Sequence, residues 1–158
     1  MAFKNILVPY DGSEASQHAL SEAIKLTNGS TEAEIHVVEV AAPPQDLVYS
    51  SINKSGFGMG VSLVSQKDFA NILEERTEEN DSKLQDAIDP LMSDFHGTLS
   101  AEVIYGVYTV NTITDTAEHY GCDLIAMGSR GLGAIRGAIG SVSFGVLHAT
   151  DIPVLVVK

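Results

Sequence analysis

The feature that most constrains the fold is the regular alternation of short apolar segments with helix-like segments. The first, fourth and fifth apolar segments are largely continuous in hydrophobic residues, which is typical of parallel strands covered on both faces. The segments predicted as strands are 3–8, 34–40, 99–105, 123–127 and 153–157. Strands that alternate with helices predict an α/β fold with a doubly wound, five-stranded parallel sheet.

The segments between the predicted strands have helical periodicity. Ser13 is suited to cap a first helix that runs to about residue 26. A long polar helix is predicted over about 67–95, with Pro90 either kinking it or dividing it into two helices. Shorter helices are predicted over about 110–120 and 141–149. Residues 41–66, which include two adjacent prolines and a glycine cluster, predict a long flexible loop.

The bulk composition limits the class of protein. A chain of 158 residues with 44 % hydrophobic and 19 % charged residues is expected to form one globular domain, residues 1–158. Its net charge of −12 opposes binding to nucleic acid or to anionic membranes, because both present phosphates that need a basic face. No apolar run approaches the ~20 residues of a membrane span. With a single cysteine and no signal peptide, the chain is expected to be cytoplasmic.

One segment departs from the acidic character of the chain. From Leu124 to Thr150 there is no Asp or Glu, although the whole chain has 21 acidic residues, and Arg130 and Arg136 lie inside this segment. It contains a glycine-rich loop between a predicted strand and a predicted helix. Glycines let backbone N–H groups turn toward an anion, and a helix N-terminus adds unpaired donors. The segment predicts a phosphate site; the alternative is a surface loop that lacks acids by chance.

A second unusual loop follows the first predicted strand. Its sequence is Val8-Pro9-Tyr10-Asp11-Gly12-Ser13. The Asp11 carboxylate is placed to accept hydrogen bonds from a ribose hydroxyl or an adenine amino group, or to form an Asp-Gly turn. In a doubly wound sheet both loops lie beyond the carboxyl ends of strands, where ligands bind.

Together these loops resemble those of the universal stress protein family. The resemblance rests on residues 6–13, 117–131, 140–143 and 151–157. It implies a Rossmann-like α/β sandwich with the strand order 3-2-1-4-5. Nucleotide-binding members carry the motif Gly-x₂-Gly-x₉-Gly-Ser/Thr. This chain has Gly128-x₂-Gly131 and Gly140-Ser141, but residues 132–139 between them number eight rather than nine.

The resemblance implies an adenine-nucleotide site. Asp11 would contact the base or the ribose, Val40 would line the adenine pocket, and Arg130 would approach the phosphates. The ligand implied is ATP, or else ADP or AMP, with Mg²⁺ as an optional companion of the phosphates. The positions implied for the site are Pro9, Tyr10, Asp11, Val40, Met127, Gly128, Arg130, Gly131, Gly140, Ser141, Val142 and Ser143.

The resemblance also implies an assembly. Family members commonly pair through their last strand, so a homodimer is expected here with Val154, Leu155, Val156 and Val157 at the interface. An exposed apolar edge strand needs such a cover. A further protein partner is expected, and the sequence does not identify it.

The sequence does not contain the motifs of dedicated nucleotide enzymes. There is no Gly-x₄-Gly-Lys-Ser/Thr and no Gly-x-Gly-x-x-Gly after the first strand, and the five histidines have no metal-ligand spacing. The resemblance implies a stress-response protein that binds ATP as a switch, and the missing motifs imply that any hydrolysis is slow. Two alternatives stay open. One is a slow ATPase or phosphotransferase; the other is a nucleotide-independent interaction protein, which the shortened glycine motif favours.

Overall fold

The computed structural model describes residues 3–43, 66–132 and 139–158, which form a parallel sheet with helices on both faces. The strands are β1 (Asn5–Pro9), β2 (Glu34–Ala41), β3 (Thr98–Tyr105), β4 (Leu124–Gly128) and β5 (Val154–Val157). The helices are α1 (Glu14–Leu26), α2 (Gln66–Ile88), α3 (Thr109–His119) and α4 (Ser141–Ala149). The sheet has the order β3-β2-β1-β4-β5, and every pair is parallel, which confirms the predicted doubly wound fold.

Each face of the sheet has its own hydrophobic core. Successive side chains of a strand point to opposite faces, so Ile6 and Val8 of β1 pack toward α1 and α2 while Leu7 packs toward α3 and α4. All three of these side chains are fully buried. Strands covered on both faces must be continuous in apolar residues, and this is the pattern that β1 and β4 carry.

The structure corrects two details of the predicted elements. The long helix ends at Ile88 rather than near residue 95, because Pro90 lies in a 3₁₀ turn over Asp89–Leu91 and cannot continue an α-helix. β5 is only half-buried along its whole length, because it is an edge strand, although Leu155 packs against one core and Val154 against the other. Of the loop predicted over 41–66, residues 44–65 lie outside the described residues.

The pairing between β1 and β4 positions the candidate site. β1 pairs with β2 over five positions, as far as Pro9 opposite Val38. It pairs with β4 only at Ile6 and Leu7. The carboxyl ends of β1 and β4 are therefore not hydrogen-bonded to each other, and a crevice opens between them. This is the point where the strand order changes direction, since β2 follows on one side of β1 and β4 lies on the other. This is the point at which open α/β sheets bind ligands.

Candidate functional site

A pocket of about 700 Å³ occupies this crevice, a volume within the range of small-molecule sites. Its walls come from the ends of β1, β2 and β4 and from the first turns of α3 and α4. All of the positions predicted for the site line it, namely Pro9, Tyr10, Asp11, Val40, Met127, Gly128, Arg130, Gly131, Gly140, Ser141, Val142 and Ser143. The structure thus brings together two loops that lie more than a hundred residues apart in sequence. The roles of these residues toward a ligand stay predictions.

The loop after β1 is held by its own polar groups. One Asp11 carboxylate oxygen, Oδ1, accepts a hydrogen bond from the Ser13 N–H at 3.0 Å. Gly12 between them has a φ of +76°, a backbone conformation that glycine adopts without strain. Ser13 caps α1, since its hydroxyl accepts from the Ser16 N–H at 3.2 Å. Asp11 therefore forms the turn that the Asp-Gly pair predicted.

The second oxygen of Asp11 faces the glycine loop. A Cβ added to Gly131 would lie 2.6 Å from Asp11 Oδ2, so the carboxylate approaches the Gly131 backbone as closely as a glycine allows. Asp11 is itself exposed. One oxygen thus fixes the turn while the other is presented in the pocket beside the glycine loop, so the turn role and the binding role do not exclude one another.

The two ends of the glycine motif meet despite the shortened spacing. The Gly140 N–H donates to the Ser129 carbonyl at 2.7 Å, which closes the loop that begins at Gly128. A Cβ on Gly140 would lie 3.4 Å from that same carbonyl oxygen. Gly131 and Gly140 consequently both line the pocket, whereas residues 133–138 of the loop lie outside the described residues.

The first turn of α4 presents backbone donors to the pocket. Gly140 is the N-cap and has an extended backbone, and its carbonyl accepts from the Phe144 N–H at 2.9 Å. The N–H groups of Ser141, Val142 and Ser143 precede any helical carbonyl that could accept them, and all three residues line the pocket. The Ser143 hydroxyl is already used, because it donates to the Gly128 carbonyl at 2.8 Å. Free N–H groups and the helix dipole together make this turn suited to an anion.

Part of the pocket wall is apolar. Val38, Ile113 and Met127 belong to the core under α3 and α4, and Val40 and Val142 pack against that core. β2 continues to Ala41, but its pairing with β1 ends at Val38. Val40 therefore has no strand beside it on the β1 side, which leaves a length of strand edge next to an apolar surface.

The charges of the pocket are mixed. Asp11, Glu39 and Arg130 line it together with Tyr10. Burial raises the pKa of Tyr10, and the Asp11 and Glu39 carboxylates raise it further, so this phenol stays neutral and able to donate. Among the described residues, no three His, Cys, Asp or Glu side chains are grouped to hold a metal ion.

The sequence of the whole chain agrees with the architecture of this site. The model of the universal stress protein family matches residues 2–158. The chain belongs to the universal stress protein family. Two relatives named universal stress proteins support this: MJ0531 of Methanocaldococcus jannaschii is 30 % identical over 99 % of this chain and 82 % of its own length. Sll1388 of Synechocystis sp. is 31 % identical over 100 % of this chain and 99 % of its own length.

Several solved structures share the fold. The hypothetical protein MJ0577 superposes with a TM-score of 0.72 at 24 % identity, over 100 % of this chain and 97 % of that protein. A universal stress protein in complex with cAMP gives a TM-score of 0.63 at 19 % identity, over 100 % and 98 % of the two chains. The universal stress protein from Archaeoglobus fulgidus in complex with dAMP gives 0.57 at 19 % identity, over 100 % of each chain.

Sequence reasoning missed part of the lining. Val38 and Glu39 are sequence neighbours of Val40, and the sequence alone does not fix which residues at the end of β2 face the pocket. Thr109 and Ile113 begin a helix that follows β3, and the rule that helix N-termini lie at the carboxyl edge of a doubly wound sheet could have found them. The lining residues that were not predicted are Ser16, Val38, Glu39, Thr109, Ile113, Leu132 and Ile139.

Two further features of the described residues bear on the chemistry. No described helix has the length and apolar character needed to cross a membrane. Cys122 is buried, and its burial raises the pKa of the thiol to about 11. A thiol with so high a pKa carries little thiolate at neutral pH, so Cys122 packs rather than reacts.

Proposed function

We propose that this protein binds ATP, or another adenine nucleotide, in the pocket between β1 and β4 and acts as a nucleotide-dependent switch in stress adaptation. The observation that carries the proposal is that one pocket joins an apolar wall to the free N–H groups of the α4 N-terminus. A nucleotide has the matching two halves, a flat apolar base and an anionic phosphate chain. Relatives with the same fold in complex with cAMP and dAMP support an adenine ligand.

The base would lie against Val38, Val40 and Met127, where the unpaired edge of β2 offers backbone groups to its polar edge. The phosphates would lie at Ser141, Val142 and Ser143, with Arg130 beside them. Asp11 Oδ2 would accept from a ribose hydroxyl or the adenine amino group, or would hold a Mg²⁺ ion together with the phosphates. These placements follow the polarity of the two ends of the pocket.

Hydrolysis is proposed to be slow. None of the described residues that line the pocket is a lysine or a histidine, so the described lining offers no ammonium for the leaving phosphate and no imidazole base. The switch would then respond to the occupancy of the pocket rather than to turnover.

A matched pair of proline variants tests the phosphate end. Ser141 is the first residue of α4 and Glu14 is the first residue of α1, and the residue before each has an extended backbone. Proline is tolerated at the first helical position because the lost N–H has no helical partner. Ser141→Pro therefore removes a donor from the pocket, whereas Glu14→Pro makes the same change outside it.

Isothermal titration calorimetry with ATP, ADP and AMP, with and without Mg²⁺, measures the outcome. The protein is first checked for co-purified nucleotide. We expect ATP to bind with one-to-one stoichiometry, Ser141→Pro to weaken it about tenfold, and Glu14→Pro to leave it unchanged. An unsubstituted, folded protein that binds no adenine nucleotide would refute the proposal and favour a nucleotide-independent interaction protein.

We further propose a cytoplasmic homodimer that pairs through β5. The other sheet edge is covered, because the Val103 N–H of β3 donates to the Asp81 carboxylate of α2 at 2.6 Å. In β5 the Pro153 and Val157 carbonyls face β4, so the backbone groups of Val154 and Val156 face outward. Val156→Pro removes an outward N–H and keeps the bonds to β4. Light scattering should show a dimer for the unsubstituted chain and a monomer for the variant; a dimeric variant would contradict the interface.

A further inference from the structure

The start of α3 forms a part of the pocket wall that is not among the predicted nucleotide-binding positions. Thr109 and Ile113 are one turn apart on α3 and both line the pocket. Residues four apart lie on the same face of a helix. Ile113 is buried and contributes to the core beneath, while Thr109 is half-exposed at the start of the helix. This part of the pocket wall therefore includes one hydroxyl residue, Thr109, next to the apolar Ile113.

That hydroxyl differs from the other threonine hydroxyls of α3. Thr112 donates to the Tyr108 carbonyl at 3.0 Å, Thr114 to the Asn111 carbonyl at 3.1 Å and Thr116 to the Thr112 carbonyl at 2.6 Å. Each of the three is satisfied by its own helix. Thr109 is the first helical residue, and within the described part of the chain no hydrogen bond to its hydroxyl is formed. It is the threonine of this helix that also lines the pocket.

The start of α3 is connected to the end of β2 that borders the apolar wall. The turn that leads from β3 into α3 is tied to the end of β2, because the Gly106 N–H donates to the Ala41 carbonyl at 2.9 Å. Val40, next to Ala41, lines the same pocket. The phosphate-binding donors belong to a different helix, α4. Thr109 thus starts a helix that is tied to the β2 end beside Val40; the same helix also packs against α4, where Val110 lies next to Gly145.

We infer that the Thr109 hydroxyl hydrogen-bonds the nucleoside half of the ligand and is a specificity-determining contact; this inference rests on the proposed nucleotide binding. When a base or ribose packs against an apolar wall, the polar atoms at its edge lose their hydrogen bonds to water. A hydroxyl can donate or accept, so it can satisfy such an edge where valines and isoleucine cannot. A ligand that leaves a buried polar group without a hydrogen-bond partner binds more weakly, and this difference discriminates between ligands.

Three substitutions isolate the hydroxyl. Thr109→Val keeps the shape of the side chain and removes the hydroxyl, and Thr109→Ser keeps the hydroxyl. Thr116→Val makes the same hydroxyl deletion two turns further along α3, away from the pocket. Titration calorimetry is run with ATP, AMP, adenosine and inorganic tripolyphosphate, and thermal unfolding checks that each variant folds.

The expected result is a loss that follows the nucleoside. Thr109→Val should weaken ATP, AMP and adenosine by the same factor, about fivefold to tenfold, and leave tripolyphosphate unchanged. Thr109→Ser should restore most of the affinity, and Thr116→Val should have no effect on it.

Other outcomes overturn the inference. Equal ATP affinity in Thr109→Val and the unsubstituted protein would remove Thr109 from the site and leave the proposed function intact. A loss that grows with the number of phosphates would place the hydroxyl at the phosphate end and refute the nucleoside assignment. If the unsubstituted protein binds no nucleotide, both the inference and the proposed function fail.

Discussion

The two ends of the parallel sheet use their polar groups in opposite ways. At the amino end the groups satisfy one another: the Asp123 carboxylate accepts from the Lys4 and Asn5 N–H groups at 2.9 and 3.1 Å. The Asn5 side-chain amide donates to the Tyr120 carbonyl at 2.7 Å. At the carboxyl end, the first turn of α4, whose N–H groups have no helical acceptor, lines an open pocket.

A small cluster of side chains shows that polar groups at the amino end are paired with one another. The His36 ring stacks on Tyr120 with centroids 4.6 Å apart, and its Nδ1 is 2.8 Å from the Ser100 hydroxyl. The Tyr120 hydroxyl donates to the Glu102 carboxylate. Among the buried side-chain nitrogen and oxygen atoms of the described residues at this end, only His36 Nε2 lacks a hydrogen-bond partner. At the amino end the polar groups therefore bond to one another, whereas at the carboxyl end the first N–H groups of α4 have no helical acceptor.

The largest effect that separates the two ends is expected from Gly131→Val. Its Cβ would lie 2.6 Å from Asp11 Oδ2, so the new side chain displaces the carboxylate and enters the pocket. We expect ATP affinity to fall about a hundredfold or more, with little change in the free energy of unfolding. Calorimetry and urea denaturation measure the two quantities. Retained affinity would mean that the glycine loop is not part of the site.

Gly128→Ala should instead reduce the stability of the fold. A Cβ on Gly128 would lie 2.8 Å from the Ala15 carbonyl carbon and 2.9 Å from the Ser16 nitrogen, both backbone atoms of α1. Backbone cannot move aside as a carboxylate can, so we expect a loss of about 2 kcal/mol in the free energy of unfolding. Urea denaturation measures this loss. An unchanged unfolding midpoint would show that α1 can shift away from β4.

Asp123→Ala tests the amino end directly. It removes the acceptor of two backbone N–H groups, and we expect a loss of about 1 kcal/mol in stability, because the freed N–H groups are exposed to water. Asp123→Asn retains an acceptor oxygen and should lose less. ATP affinity should not change in either variant; a loss of affinity would show that the two ends are coupled through β1.

The smallest effect is a pH dependence at His36. Burial lowers the pKa of this ring, while Glu34 and Glu102 act in the opposite direction. The unfolded chain therefore binds a proton here more readily than the folded protein. Stability from the neutral ring is complete above the unfolded pKa of about 6.5 and is lost as pH falls from there toward the lower folded pKa.

Urea denaturation of the nucleotide-free protein between pH 7 and pH 5 measures this contribution. The unsubstituted protein should lose more stability on acidification than His36→Gln, in which no imidazole titrates. Parallel pH profiles for the two proteins would show that the carboxylates around His36 cancel the cost of charging it.

Much of the fold was readable from the sequence because local patterns report it. Continuous apolar runs predicted β1 and β4, and Ser13 predicted the start of α1. The end of α2 was less accurate, since periodicity continues past Pro90 although an α-helix cannot. The twelve predicted site positions came from the resemblance to the universal stress protein family, whose glycine-rich loop and Asp-Gly turn are recognisable from residue type alone.

The sequence by itself determined the alternation of strands and helices, and with it the carboxyl edge as the place for a ligand. Only the tertiary structure decided which polar groups are hydrogen-bonded within the protein and which have no partner among the described residues. Ser143 and Thr109 look alike as hydroxyl residues near helix starts, yet the first donates to Gly128 and the second has no partner among the described residues. That distinction depends on distances between segments far apart along the chain, which no local pattern records.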